Sequence, residues 1–163
     1  MVVLKHLLVA TDFSAPSAVA LDYGRELARS YGGTLHVLHV VLNMMVQYSP
    51  EVGMTSPLLQ ENLEEGARKE LEALITEDDR RTLKVVPVVE SSPNVAEGIV
   101  DYARRHAIDL IIVGTHGRSA FKQFLVGSAA ERVVRTAPCP VLAVRERERD
   151  FLAPDALTVA SKA

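Results

Sequence analysis

The chain lacks most of the residues that would announce a special environment. In 163 residues it has one cysteine, Cys139, and no tryptophan. A single thiol cannot close an internal disulfide, which excludes a disulfide-stapled scaffold and fits a reducing compartment. Cys139 lies between Pro138 and Pro140 ahead of an apolar run, where a small buried structural residue is expected. No apolar stretch approaches the roughly 20 residues of a membrane-spanning helix, so no membrane contact is expected. The opening Met1–His6 and the short run Leu7–Ala10 lack the longer apolar region and small-residue cleavage site of a secretion signal. The expected location is therefore the cytoplasm. Neither sign of charge dominates: 18 Lys and Arg stand against 21 Asp and Glu, net −3, with no basic field for nucleic acid.

What is present is an alternation of short apolar runs with helical patterns. The first run, Leu4 to Thr11, is apolar on both faces, as a strand inside a parallel sheet should be. Ser14 is a candidate N-cap with Pro16 in the first turn, and Gly32-Gly33 closes the helix that follows. Thr34 to Val41 reads as a second strand. Residues 43–57 fit neither period and read as a long loop rich in methionine (Met44, Met45, Met54), which serve either as a protein-binding surface or as local packing for the loop. Leu59, Leu63, Ala67, Leu71, Leu74 and Ile75 mark a helix supported by Glu64–Arg68 and Glu65–Lys69 pairs. Leu83 to Val89 is the third strand. Ser92-Pro93 is expected to open the next helix, with serine as cap and proline at the first helical position. Asp109 to Val113, Ser128 to Thr136 and Val141 to Val144 supply strand, helix and strand. The expected fold is α/β, one doubly wound domain over residues 1–146 with a five-stranded parallel sheet. Residues 147–163 read as a solvated tail.

Ligands in such sheets bind at the carboxyl ends of the strands, where the strand order reverses. Two polar turns are expected to meet there: Ala10-Thr11-Asp12-Phe13-Ser14 after the first strand, and Gly114-Thr115-His116-Gly117-Arg118 after the fourth, preceded by Val113. Ten residues past Gly117 come Gly127 and Ser128, at the start of a predicted helix. Glycines let a backbone approach a ligand closely, and a helix N-terminus presents unpaired N–H groups that suit phosphate. Asp12 can accept from sugar hydroxyls or hold a magnesium-bound water. His116 reads as a solvated loop residue. Arg118 and Lys122 read as phosphate-facing or solvated charges. His6, His36, His39 and His106 lack metal-ligand spacing on any one element and read as structural or surface residues.

The pattern Gly114-x-x-Gly117, nine residues, then Gly127-Ser128, together with Val9-Ala10-Thr11-Asp12-Phe13-Ser14 and Ala137-Pro138-Cys139-Pro140-Val141-Leu142, resembles the universal stress protein family over roughly residues 3 to 145. The resemblance implies the subgroup that keeps the glycines and binds ATP (or ADP or AMP) with magnesium. It implies Asp12 at the ribose or metal, the backbone of Val40 or Val41 at the adenine, and Gly114, Gly117, Gly127, Ser128 and the Ala129 N–H along the ribose–phosphate path. It also implies a homodimer through the last strand, Val141, Leu142, Ala143 and Val144. A Walker-type nucleotide hydrolase is disfavoured because no Gly-x-x-x-x-Gly-Lys-Ser/Thr is present, and a dinucleotide enzyme because no Gly-x-Gly-x-x-Gly follows the first strand. A phosphoacceptor receiver domain would want an aspartate ending the third strand and a lysine ending the fifth; here those strands end in Val89-Glu90 and Arg145. Asp12, His116 and Arg118 do not form a known catalytic set, which favours a stress-response binding module, possessing an unidentified protein partner, over a slow ATPase or nucleotide-transferring enzyme; a ligand-free dimeric scaffold is the third reading.

Overall fold

A computed structural model of the chain describes residues 2–43, 57–115 and 127–145. Among the described residues, five strands and five helices follow in the order β1 (His6–Ala10), α1 (Ala15–Tyr31), β2 (Thr34–Leu42), α2 (Pro57–Leu74), α3 (Glu77–Thr82), β3 (Lys84–Ser92), α4 (Val95–Arg105), β4 (Leu110–Gly114), α5 (Ser128–Thr136) and β5 (Val141–Val144). The strands form one all-parallel sheet in the order β3-β2-β1-β4-β5. The chain therefore winds outward from β1 to one edge, returns, and winds to the other.

Strand alternation divides the apolar residues between two layers. Leu7, Val9, Leu35, Val37 and Ile112 pack with α1 and α2 through Ala20, Leu21, Ala28 and Leu71. Leu8, Leu38, Val40, Ile111 and Val113 pack with α4 and α5 through Ala96, Ile99, Tyr102, Ala130 and Val133. Both faces of β1 and β4 are covered, which explains why these strands read as continuous apolar runs rather than alternating ones.

The local signals decide the element ends. Gly32 closes α1 at φ 64°, a conformation that L side chains resist. Both expected pairs form on α2, Arg68–Glu64 at 3.6 Å and Lys69–Glu65 at 3.4 Å. The cap of α4 is a correction. Ser92 belongs to β3, and Asn94 is the N-cap, its side chain accepting from the N–H groups of Ala96 (2.9 Å) and Glu97 (3.3 Å). Cys139 is half-buried against the α4–α5 layer rather than fully enclosed, and burial pushes its thiol pKa up. The short α3 has no counterpart in the expected elements. It is started by a capping box between Thr76 and Asp79, and Arg25 of α1 grips Asp79 through Nε (3.0 Å) and Nη2 (2.8 Å). Burial alone would raise the Asp79 carboxyl. Hydrogen bonds from Arg25 and Thr76 outweigh it and hold the group below the usual carboxylate range.

At the amino ends of the strands, His6 Nδ1 lies 3.3 Å from His36 Nε2, and His36 Nδ1 lies 2.9 Å from the Tyr102 hydroxyl. His106 stacks on Tyr102 at 4.1 Å, and the Arg105 guanidinium lies over the same ring. Burial, and to a lesser degree the neighbouring His6 and His106, lower the His36 pKa from 6.5 to about 4. The fold thus keeps His36 neutral while the unfolded chain protonates it. The contribution of His36 to stability is expected to be level above pH 7 and to fall as pH drops from about 6.5 towards 4, by an amount approaching roughly 3 kcal/mol. Urea midpoints at pH 7.5 and 5 check this. His36→Gln should lose less stability over that interval, and an equal loss would place the acid sensitivity elsewhere.

Candidate functional site

The strand order reverses between β1 and β4, which are paired with Ala10 opposite Val113. Their carboxyl ends open onto a cleft of about 530 Å³, within the range of small-ligand sites. Leu38, Val40, Leu42, Val95, Ile99, Val113 and Val133 give it an apolar floor; Thr11, Asp12, Ser17, His39, Gly127 and Ser128 bring polar groups to it.

The first wall is the turn after β1. The Thr11 N–H extends the sheet ladder to the Leu38 carbonyl at 2.9 Å. The Thr11 hydroxyl then accepts from the Phe13 N–H and meets the Ser17 hydroxyl, both at 3.1 Å. Asp12 Oδ1 accepts from the Ser14 N–H at 3.1 Å and from the Ser14 hydroxyl. Ser14 is therefore the N-cap of α1 by backbone conformation, but its hydroxyl serves Asp12 rather than the helix. Phe13 is held at φ 64°, uncommon for an aromatic residue and tolerated only where neighbours over-determine the turn. His39 Nδ1 lies 2.8 Å from the Thr11 carbonyl, and its ring packs on Phe13 at 4.4 Å.

The second wall begins at the end of β4. A side chain on Gly114 would meet the Pro16 carbonyl carbon at 2.9 Å, its oxygen at 3.0 Å and the Ser17 nitrogen at 3.1 Å. Only a residue without Cβ lets the end of β4 lie against the start of α1. Thr115, buried, donates its N–H to the Val144 carbonyl at 2.8 Å and accepts from the Gly127 N–H at 2.6 Å. These two bonds tie β4 to β5 and bring the N-terminus of α5 to the rim. That helix is capped by Gly127 without a side-chain hydrogen bond, so the dipole and first N–H groups of α5 face the rim unshielded by a capping side chain.

Of the residues singled out by sequence, Ala10, Thr11, Asp12, Val40, Val113, Gly114, Gly127, Ser128 and Ala129 line this one cleft. Val41 and Thr115 do not. Strand alternation turns Val41 to the opposite face of the sheet from Val40, and Thr115 serves the backbone links just described. Ser17 and His39 are additions that sequence reasoning did not assign to a site. The motif T-D-x-S-x-x-S was the available signal for Ser17; His39 carried none. His116, Gly117, Arg118, Lys122, the loop methionines and the tail 147–163 lie outside the described residues. Among the described residues, no group of three His, Cys, Asp or Glu is arranged to hold a metal ion, and no helix is long and apolar enough to cross a membrane.

Sheet order and cleft together define a class, a doubly wound α/β domain with a ligand-sized site at its switch point. Within that class the chain belongs to the universal stress protein family, whose family model matches residues 4–145. It is 34% identical over 150 residues to universal stress protein A homolog 1 of Coxiella burnetii, covering 88% of this chain and 98% of that protein. The solved structure of MJ0577, from Methanocaldococcus jannaschii, superposes with a TM-score of 0.75 at 29% identity, covering 90% of this chain and 99% of that one. A universal stress protein solved in complex with cAMP shares the fold at a TM-score of 0.59 and 20% identity, covering 89% and 99% of the two chains.

Replacement of Gly114 by alanine is expected to cost about 1–3 kcal/mol, because the opposing atoms are backbone and cannot swing aside. Urea denaturation of Gly114→Ala measures it; an unchanged midpoint would mean that β4 and α1 part without penalty.

Proposed function

We propose that the cleft binds a nucleotide, ATP first among the candidates and ADP or AMP after it, and that the protein acts as a nucleotide-responsive binding module of the cytoplasm rather than as a dedicated enzyme. The observation that carries this reading is the combination in one cleft of an apolar floor, an aspartate on the β1 turn and the glycine-capped N-terminus of α5. A flat base suits the floor formed by Val40, Leu42, Val95 and Ile99. Ribose hydroxyls can donate to Asp12. Phosphate suits the N–H groups at Ser128 and Ala129, which have the partial positive charge of a helix start, while the Gly127 N–H is held by Thr115. The same fold holds cAMP in the complex noted above.

Among the described lining residues Asp12 is the single carboxylate and no lysine or arginine is present. One carboxylate fits a magnesium ion that arrives with phosphate oxygens and water, rather than one caged by protein ligands. In this reading Gly117 and Arg118 complete the phosphate path, with Arg118 as the balancing charge.

Calorimetric titration with Mg-ATP, ADP and AMP tests the proposal. Micromolar binding, about 8 kcal/mol, is expected for the wild type. Asp12→Ala should weaken it about tenfold or more, and Gly127→Val should abolish it while the protein remains folded by circular dichroism. No saturable binding of any of the three nucleotides would overturn the reading in favour of a ligand-free scaffold.

We further propose that β5 pairs with its copy to form a homodimer. It is a short apolar edge strand in which Val141 and Leu142 are half-buried and Ala143 is exposed in the single chain. Light scattering should give twice the chain mass, and Ala143→Arg should halve it. An unchanged mass for the variant would place the contact elsewhere.

A further inference from the structure

We infer that His39 is a positioning residue for the Asp12 turn: it holds Asp12 and Ser14 in place from β2. Its effect on affinity rests on the nucleotide reading above; its effect on the turn does not.

The turn is a strained object. Phe13 has a positive φ, and the bonds that fold the chain around it, Phe13 N–H to Thr11 Oγ1 and Ser14 N–H to Asp12 Oδ1, are internal to the turn. Internal bonds can form and break together, so they do not fix the turn relative to the cleft. That requires links to other elements. Among the described residues, α1 supplies the Ser17 hydroxyl on Thr11 Oγ1 and, at the far end of the turn, the Ser17 hydroxyl and the Ala18 N–H on the Ser14 carbonyl. The others come from β2: the Leu38 carbonyl on the Thr11 N–H, and the His39 side chain on the Thr11 carbonyl. His39 is thus the β2 side chain tied to the turn by a hydrogen bond, and its ring also backs Phe13, at 4.4 Å and an interplanar angle of 32°. One residue therefore restrains the turn at both sides of Asp12.

The chemistry of the bond fixes the tautomer. A carbonyl oxygen can only accept, so Nδ1 must carry the hydrogen. In the neutral ring Nε2 is then the acceptor, and protonation of the ring adds a hydrogen at Nε2 while leaving the Nδ1–H bond in place. An asparagine amide can put an N–H near the position of Nδ1; leucine offers a similar volume and no donor. This separates the hydrogen bond from simple filling of space.

Three readouts test the inference. In the ligand-free protein, the imidazole nitrogen shifts of His39 should be those of the Nδ1-protonated tautomer. The amides of Phe13 and Ser14 should exchange with solvent about tenfold faster in His39→Leu than in the wild type, and near the wild-type rate in His39→Asn, with the strand amides of β1 and β2 unchanged. The Kd for Mg-ATP should rise about tenfold in His39→Leu and recover in His39→Asn. His39→Ala replaces His39→Leu in all comparisons should the latter not fold. An Nε2-protonated ring, or wild-type exchange at Phe13 and Ser14 in a folded His39→Leu, overturns the inference whatever the nucleotide does. A wild type that binds no nucleotide removes the proposed function and leaves His39 to be judged on tautomer and exchange alone.

Discussion

The parallel pairing of β1 with β4 governs the rest of this structure. Two strands far apart in sequence lie side by side, with Leu7 opposite Leu110 and Ala10 opposite Val113. Parallel neighbours cannot be joined by a hairpin, so each outward path must cross over through a helix. The crossovers from β1 and from β4 run to opposite edges, leaving an opening between the turns that follow them. The gap forms because no chain connects across it. At its edge Gly114 lets β4 reach the backbone of Pro16 and Ser17 without a side chain between.

The polar groups around that gap are organised chiefly for one another. Asp12 holds Ser14, Thr11 holds Phe13 and Ser17, and Thr115 holds Gly127 and Val144. Such a network costs little to desolvate when a ligand arrives, because its groups already have partners. The apolar floor contributes the non-directional part of binding, and the few polar groups at the rim decide orientation. This division suits a molecule with a flat ring at one end and charge at the other.

Much of this was legible in the sequence, and the exceptions have physical causes. The inner strands β1 and β4 stand out because both of their faces are covered, so each is a continuous apolar run, and β2, β3 and β5 are marked by their valines and leucines. Helix α5 and strand β5 begin and end where the pattern places them, because Gly127 and the prolines 138 and 140 leave little freedom. Helix α3 was missed because EDDRRT has no apolar face; its stability comes from the Thr76–Asp79 box and from Arg25, which is 54 residues away from Asp79. The choice between Ser92 and Asn94 as cap depended on where β3 stops, and pairing with β2 carries it to Ser92 opposite Leu42. At the site, Asp12, Gly114 and Gly127 were visible because turns and helix starts have local signatures. Val40 and Val41 were indistinguishable until register fixed which of them faces the cleft. The role of His39 depends on a carbonyl 28 residues earlier, and no local pattern encodes that.

Strand β2 shows how one register can serve two unrelated purposes. His36 and His39 are an odd number of residues apart, so they point to opposite faces of the sheet. His36 falls with Leu38 and Val40 on the α4 face, low on the strand, where Tyr102 meets it and burial keeps it neutral. His39 falls three residues higher on the α1 face, at the level where β1 gives way to its turn, and it meets Thr11 and Phe13. A one-residue slip between β1 and β2 would exchange the faces and separate both histidines from their partners at once. The ladder from His6–Thr34 to Ala10–Leu38, continued by Thr11 N–H to the Leu38 carbonyl, prevents that slip. The packing at the closed end of the sheet and the turn at its open end are thus set by the same row of backbone hydrogen bonds.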